Sequence, residues 1–92
     1  MENAVINLQV FRIYKLENSK YTKAFADVVI NGEILIRGIR VVDGKNGLFV
    51  SMPQEQSKDK KWYDTVRCLN RDVRNMLTDE VLAAYRAKEM VD

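Results

Sequence analysis

Lys58, Lys60, Lys61, Arg67, Arg71 and Arg74 crowd the stretch 58–74 of this 92-residue chain, with only Asp59, Asp64 and Asp72 set against them. Trp62 and Tyr63 lie between the lysines and Arg67. Cations draw phosphates by charge, and aromatic rings beside them offer a face on which an unpaired base can stack. Beyond Asn75 the sign reverses, with Arg86 and Lys88 against Asp79, Glu80, Glu89 and Asp92. A positive band beside an acidic tail fits a polyanion partner, DNA or RNA, although a solvated surface of mixed charge carries the same pattern. The net charge of +2 does not separate the two. Of the two aromatics, Trp62 joins the six cations as a candidate nucleic-acid residue, and Tyr63 is its alternative for stacking.

Other chemistries find little support. With no histidine and one cysteine, Cys68, there is neither a nucleophile–base pair nor a zinc cluster. Asp27 and Asp64 could serve as general acids or bases, but neither has a partner at motif spacing, and a hydrogen-bonded structural carboxylate is the simpler reading. The glycines at 44 and 47 match no phosphate-binding or dinucleotide fingerprint. No catalytic residue, metal, cofactor or small-molecule substrate is expected. Cys68 reads as a small apolar strand residue rather than a reactive thiol.

The elements that must position the band follow from turn chemistry and periodicity. Ile39 to Pro53, IRVVDGKNGLFVSMP, reads as strand, turn and strand, with Gly44 and Gly47 supplying positive φ and Pro53 ending the pairing. Asn31-Gly32 predicts a type I′ hairpin between Tyr21–Ile30 and the strand from Glu33, placing Ile30 opposite Glu33, Val28 opposite Leu35, and Phe25 opposite Gly38. Both faces of that hairpin are apolar, which predicts a helix on one and a partner subunit on the other. Val5–Tyr14 alternates with a switch of side: Ile6, Leu8 and Val10 point one way, Phe11 and Ile13 the other, as a bulge would produce. Residues 54–61 read as an exposed loop and Trp62–Leu69 as a fifth strand. Asn70 is a good N-cap for an amphipathic helix through Val73, Leu77, Val81 and Tyr85 to about Lys88, with a break near Leu77 left open by Thr78-Asp79-Glu80. Arg71 and Arg74 would then occupy its first turn, where free N–H groups and two guanidinium forks could hold a phosphate and Asp72 supplies the ordinary dipole-compensating carboxylate.

The run IRVVDGKNGLFVSMP resembles the signature of the SpoVG family, the bacterial septation and stage V sporulation regulators, whose members read close to IRVIDGxNGLFVAMPS. Tyr63-Asp64 falls on the family's aromatic-x-Asp pattern and Val81–Tyr85 on its VLxxY. The resemblance is weakest over residues 1–20, and Cys68 stands where the family usually has proline. It implies a small cytoplasmic homodimer that binds nucleic acid and regulates expression. Family members usually place a basic pair after the shared Met-Pro, as in MPSKRTPDG; this chain has Glu55 and Gln56 there, and its lysines come later.

Residues 1–92 are expected to form one domain, burying roughly 60–65% of the unfolded chain's surface. The sequence has neither the pattern of a signal peptide nor that of a membrane span, so a cytoplasmic protein without membrane attachment is expected. The predicted fold class is α+β: an antiparallel meander of about five strands followed by a C-terminal helical segment, dimeric. Two functions follow from these readings: a homodimeric regulator that binds DNA or RNA through phosphates, or a dimeric protein-interaction adaptor that has lost that binding, which Glu55 and Gln56 favour.

Overall fold

A computed structural model describes residues 6–91, with side chains as far as Lys88. Strands β1 (Leu8–Lys15), β2 (Thr22–Ile30), β3 (Ile34–Gly44) and β4 (Gly47–Ser51) form one antiparallel sheet in chain order. A second, two-stranded sheet pairs β5 (Gln54–Gln56) with β6 (Trp62–Asp64), and α1 (Arg71–Val91) follows. The architecture is therefore α+β, with a four-stranded meander where five strands were expected. The predicted strand 62–69 stops at Asp64, and its partner lies in the stretch expected to be a loop. Its later alternation has a different origin: Val66 and Cys68 line an apolar cavity with Leu8, Val28 and Leu77 at the end of the core. They pack without joining a ladder.

α1 covers one face of the main sheet. Leu77, Val81 and Tyr85 recur every four residues and are buried with Ile13, Ala24, Ala26, Val28, Ile39 and Val41. Val28, Ile39, Val41 and Val81 are fully enclosed, each contributing about 1.5–3 kcal/mol through burial. The helix is continuous through Leu77, because the Leu77–Val81–Tyr85 stripe is buried on both sides of the suspected break. Its C-terminal part is tied back to β1 where Lys88 Nζ donates to the Ile13 carbonyl at 2.7 Å.

Besides a register shift between Thr22 and Ala24 in β2, three departures from regular geometry decide which side chains share a face. In β1 the register shifts between Val10, opposite Val28, and Arg12, opposite Asp27, so Phe11 is the bulged residue. The bulge was expected, but its effect differs from the expectation: Ile13 returns to the core face beside Leu8 and Val10, and only Phe11 is thrown outward, 58% exposed. At the β2–β3 turn, Asn31 and Gly32 take positive φ (52° and 68°) and Glu33 N–H donates to the Ile30 carbonyl at 2.9 Å, as a type I′ turn requires. The ladder begins one residue later than predicted, with Ile30 opposite Ile34 and Val28 opposite Ile36. Glu33 is added to the loop, and every expected partner moves.

The third departure is at Gly38. Val28 pairs with Ile36 but Ala26 with Ile39, leaving Arg37 and Gly38 together opposite Asp27, with Gly38 at φ +87°. Phe25 therefore lies opposite Arg40, and Gly38 is a bulge hinge rather than a seat for the Phe25 ring. In the β3–β4 hairpin only Gly47 has positive φ (+113°). Gly44 is accommodated for another reason: a Cβ there would stand 2.8 Å from Phe49 Cε1.

Candidate nucleic-acid interface

The sheet face away from α1 carries Tyr14, Phe25, Val29, Leu35, Val42 and Phe49, interleaved with Arg12, Asp27, Arg37 and Arg40. Near its β4 side the chain leaves the sheet at Ser51, and Pro53 turns it into the β5–β6 hairpin. The hairpin base is closed at Pro53, whose carbonyl accepts from Thr65 N–H at 2.8 Å and from Thr65 Oγ1 at 3.2 Å. Its two strands carry Gln54 opposite Asp64, Glu55 opposite Tyr63 and Gln56 opposite Trp62.

At the far end of this hairpin a five-residue turn presents Lys58, Lys60 and Lys61, all exposed. Ser57 organises the turn: its N–H donates to the Lys61 carbonyl at 2.8 Å, and its carbonyl accepts from Lys60 N–H at 2.9 Å. Lys60 itself sits at φ +69°, a conformation glycine adopts more cheaply. Ser57 Oγ is also within hydrogen-bonding reach of Asp59 Oδ1, and that bond holds the Asp59 carboxyl below its ordinary value of 3.8. Asp59 is thus a fixed negative charge engaged with a hydroxyl. Among the described residues no ion pair engages the three lysines.

Trp62 projects from β6 into a cleft of about 370 Å³ between the hairpin and the Gly38 bulge, lined also by Phe25, Arg37, Arg40, Gln54 and Glu55. The bulge explains the two arginines. Three positions apart, they would occupy opposite faces of a regular strand; the extra residue at Gly38 puts both on the open face. Arg40 Nη2 donates to Gln54 Oε1 at 2.8 Å, and Gln54 Nε2 donates to Asp64 Oδ1 at 2.8 Å, so a chain of polar contacts holds the Arg40 guanidinium in place. Arg37 Nε lies 3.7 Å from Asp27 Oδ2, with the Arg37 side chain 70% exposed and Asp27 buried. Asp27 and Asp64, the two carboxylates with a conceivable catalytic role in the sequence, are thus engaged in holding the cleft's wall. Tyr63 turns away from Trp62 along β6 and donates its hydroxyl to Glu55 Oε1 at 3.2 Å, which raises the phenol above its ordinary value of 10.0.

The remaining cations lie elsewhere. Arg67 borders the apolar cavity beside Cys68, between β6 and the helix. Arg71 and Arg74 occupy the first turn of α1, exposed, with Asn70 Oδ1 accepting from the N–H groups of Asp72 and Val73 at 2.8 and 3.1 Å. The cap therefore takes two of the free N–H groups proposed for a phosphate. Arg74 lines a second groove, of about 320 Å³, with Phe49, Asp64 and Gln54. The band read along the sequence is accordingly divided among the hairpin tip, the Trp62 cleft, Arg67 beside the apolar cavity and the helix start. Gln54 borders both grooves.

The family model described as SpoVG matches residues 6–87. The chain belongs to the SpoVG family. Among its SpoVG relatives, a provisionally named septation protein SpoVG of Archaeoglobus fulgidus is 38% identical over 78 residues, covering 85% of this chain and 92% of the relative. A protein named in the same way, SpoVG 1 of Listeria monocytogenes, is 36% identical over 78 residues, with 85% and 76% covered. A third, of Priestia megaterium, is 35% identical over 74 residues, with 80% and 77% covered. These SpoVG relatives are named for septation and not for a catalysed reaction. The match spans the sheet, the β5–β6 hairpin and nearly all of α1, so the cleft and the lysine tip lie inside the family domain. Arg37 and Arg40 were missed in the sequence because their spacing hid their common face; the signal available was Gly38 between them.

Proposed function

We propose that this chain acts in septation or sporulation-type regulation as a homodimer that binds DNA or RNA through phosphate contacts. The observation that carries the reading is the β5–β6 hairpin: three exposed, unpaired lysines at a hydrogen-bonded tip, and next to them an exposed indole that shares a cleft with two guanidinium groups of the main sheet. Charge at a projecting tip suits a polyanion whose backbone is presented outward, and such contacts position a strand without reading its sequence. Dimerisation draws support from the open sheet face, where Phe11, Tyr14 and Leu35 are 58%, 38% and 46% exposed in a chain this small. A second copy laid on the Phe11–Leu35 end of that face, clear of Arg37 and Arg40, would also double the number of lysine tips.

Glu55 and Gln56 support the adaptor reading, since they put an acidic and a neutral residue where the family's basic pair usually falls. Both are committed within the hairpin, Glu55 to the Tyr63 hydroxyl and Gln56 Nε2 to the Lys60 carbonyl at 3.2 Å. That favours a relocation of the charge to the tip over its loss. Gel shifts with single- and double-stranded oligonucleotides at two salt concentrations test the nucleic-acid reading; binding that weakens steeply with salt supports it, and none at low salt hands the function to the adaptor. For the dimer, sedimentation at micromolar concentration should give twice 10.7 kDa, and Leu35→Asp should give the monomer. A parent protein that sediments only as the monomer would remove the dimer from the proposal.

A further inference from the structure

We infer that the cleft between the Gly38 bulge and the β5–β6 hairpin receives one unpaired nucleobase of a single strand, stacked on Trp62 with a flanking phosphate on Arg37 and Arg40. The inference rests on the nucleic-acid reading above and deepens it by naming the form of nucleic acid recognised.

Four observations converge on this cleft. Its volume of about 370 Å³ lies at the lower end of the ~300–1,000 Å³ typical of small-molecule clefts, which suits a single nucleotide better than a duplex edge. Trp62 is 62% exposed, so its position is not explained by burial in the core, and an indole presented to solvent beside cations is a stacking platform. Arg40 is held in advance by Gln54, with one of its guanidinium nitrogens engaged and the others without a protein hydrogen bond. Arg37 faces its ion-pair partner Asp27 through Nε, which leaves both Nη groups to a ligand.

Exposure and strand alternation refine the pose. The phosphate belongs at the rim, on the exposed Arg37 side. The Glu55 carboxylate takes no part, since it is bonded to Tyr63 on the hairpin face opposite Trp62. A duplex can offer its base only by unstacking and flipping it, at a cost of a few kcal/mol.

Trp62 is the only tryptophan in the chain, so its fluorescence reports on the cleft directly. The experiment titrates the full chain with a single-stranded oligonucleotide, its duplex, a strand of the same length carrying abasic sites, and a free nucleoside monophosphate, at low salt. The expected result is strong quenching and tightest binding with the intact single strand, with the abasic strand bound more weakly and scarcely quenching. Measured by anisotropy of a labelled oligonucleotide, because these variants lack the fluorophore, Trp62→Ala should weaken single-strand binding roughly 5- to 100-fold and erase the preference over the abasic strand, while Trp62→Phe keeps most of it. Both variants should melt with the parent, since the side chain is mostly exposed.

Equal affinity for intact and abasic strands, or binding without quenching, overturns the cleft assignment and leaves phosphate binding standing. A mononucleotide that quenches at the same concentration as the strand shows a small-molecule site and overturns the single-strand assignment. Absence of binding by every probe at low salt removes both this inference and the function it rests on.

Discussion

Replacing Lys58, Lys60 and Lys61 together by alanine separates a phosphate-binding tip from a merely solvated one. In a dimer the two hairpins present six ammonium groups, all exposed, and no ion pair among the described residues competes for them. Each neutralised phosphate of a single strand contributes about −0.7 to the slope of log K against log salt, so six would give a slope of roughly −4. Raising salt fourfold should then weaken parent binding by roughly 250-fold from the tip alone. The triple variant should lose most of that slope, with a residue of roughly −1 to −2 from arginines outside the tip. Its fold should be intact: the three side chains are exposed, and alanine at φ +69° is no more strained than the lysine it replaces at position 60. Anisotropy titrations of parent and variant across the salt range make the measurement, with thermal melts as the control. An unchanged slope in a folded triple variant would refute the tip as the electrostatic contact.

Gly47→Val should destabilise by roughly 1–3 kcal/mol, because a β-branched residue at φ +113° must take a strained backbone or break the β3–β4 turn; an unchanged melting temperature would contradict this. Asn70→Ala should cost about 0.5–2 kcal/mol by removing the acceptor for the Asp72 and Val73 N–H groups, and a denaturant midpoint equal to the parent's would show that water caps the helix as well. Binding should be flat between pH 8 and pH 5, since the chain has no histidine and Asp59, held low by the Ser57 hydroxyl, stays ionised there. The Asp59 contribution to stability is present above its unfolded value of 3.8 and is lost as pH falls through the depressed folded one; a binding step near pH 6.5 would point to a group this reading omits.

The elements whose evidence is local were legible in the sequence. Asn70 announced its cap, the Val73–Leu77–Val81–Tyr85 spacing its helix, and Asn31-Gly32 its turn, because each depends on residues within a few positions of one another. The register was not legible. Whether Glu33 joins the loop, and whether Arg37 and Gly38 share one partner, is settled by which face must meet α1: Val28, Ile36, Ile39 and Val41 reach the core together only with an extra residue between Ile36 and Ile39. The fifth strand was misread for a related reason. Val66 and Cys68 alternate because they fill the end of the core, while β6 needs only Trp62–Asp64 to pair with a stretch whose polar residues resemble a loop. The cations were legible as residues but not as a site, since the sequence joined Lys58–Arg74 into one band and left out the two arginines beside Trp62.

Affinity and selectivity are divided within the hairpin on the reading proposed here. The tip is charge without fixed side-chain geometry, so it attracts any phosphate backbone and discriminates little. The cleft is the reverse: Arg40, Gln54 and Asp64 are linked side chain to side chain at 2.8 Å, and an oriented fork beside an indole accepts a narrower range of ligands. Gly38 is the residue on which the arrangement depends. Without its φ of +87° the strand would run on without the extra residue, and Arg37 and Arg40 could no longer both meet Trp62 on one face while Ile36 and Ile39 hold the other against the core.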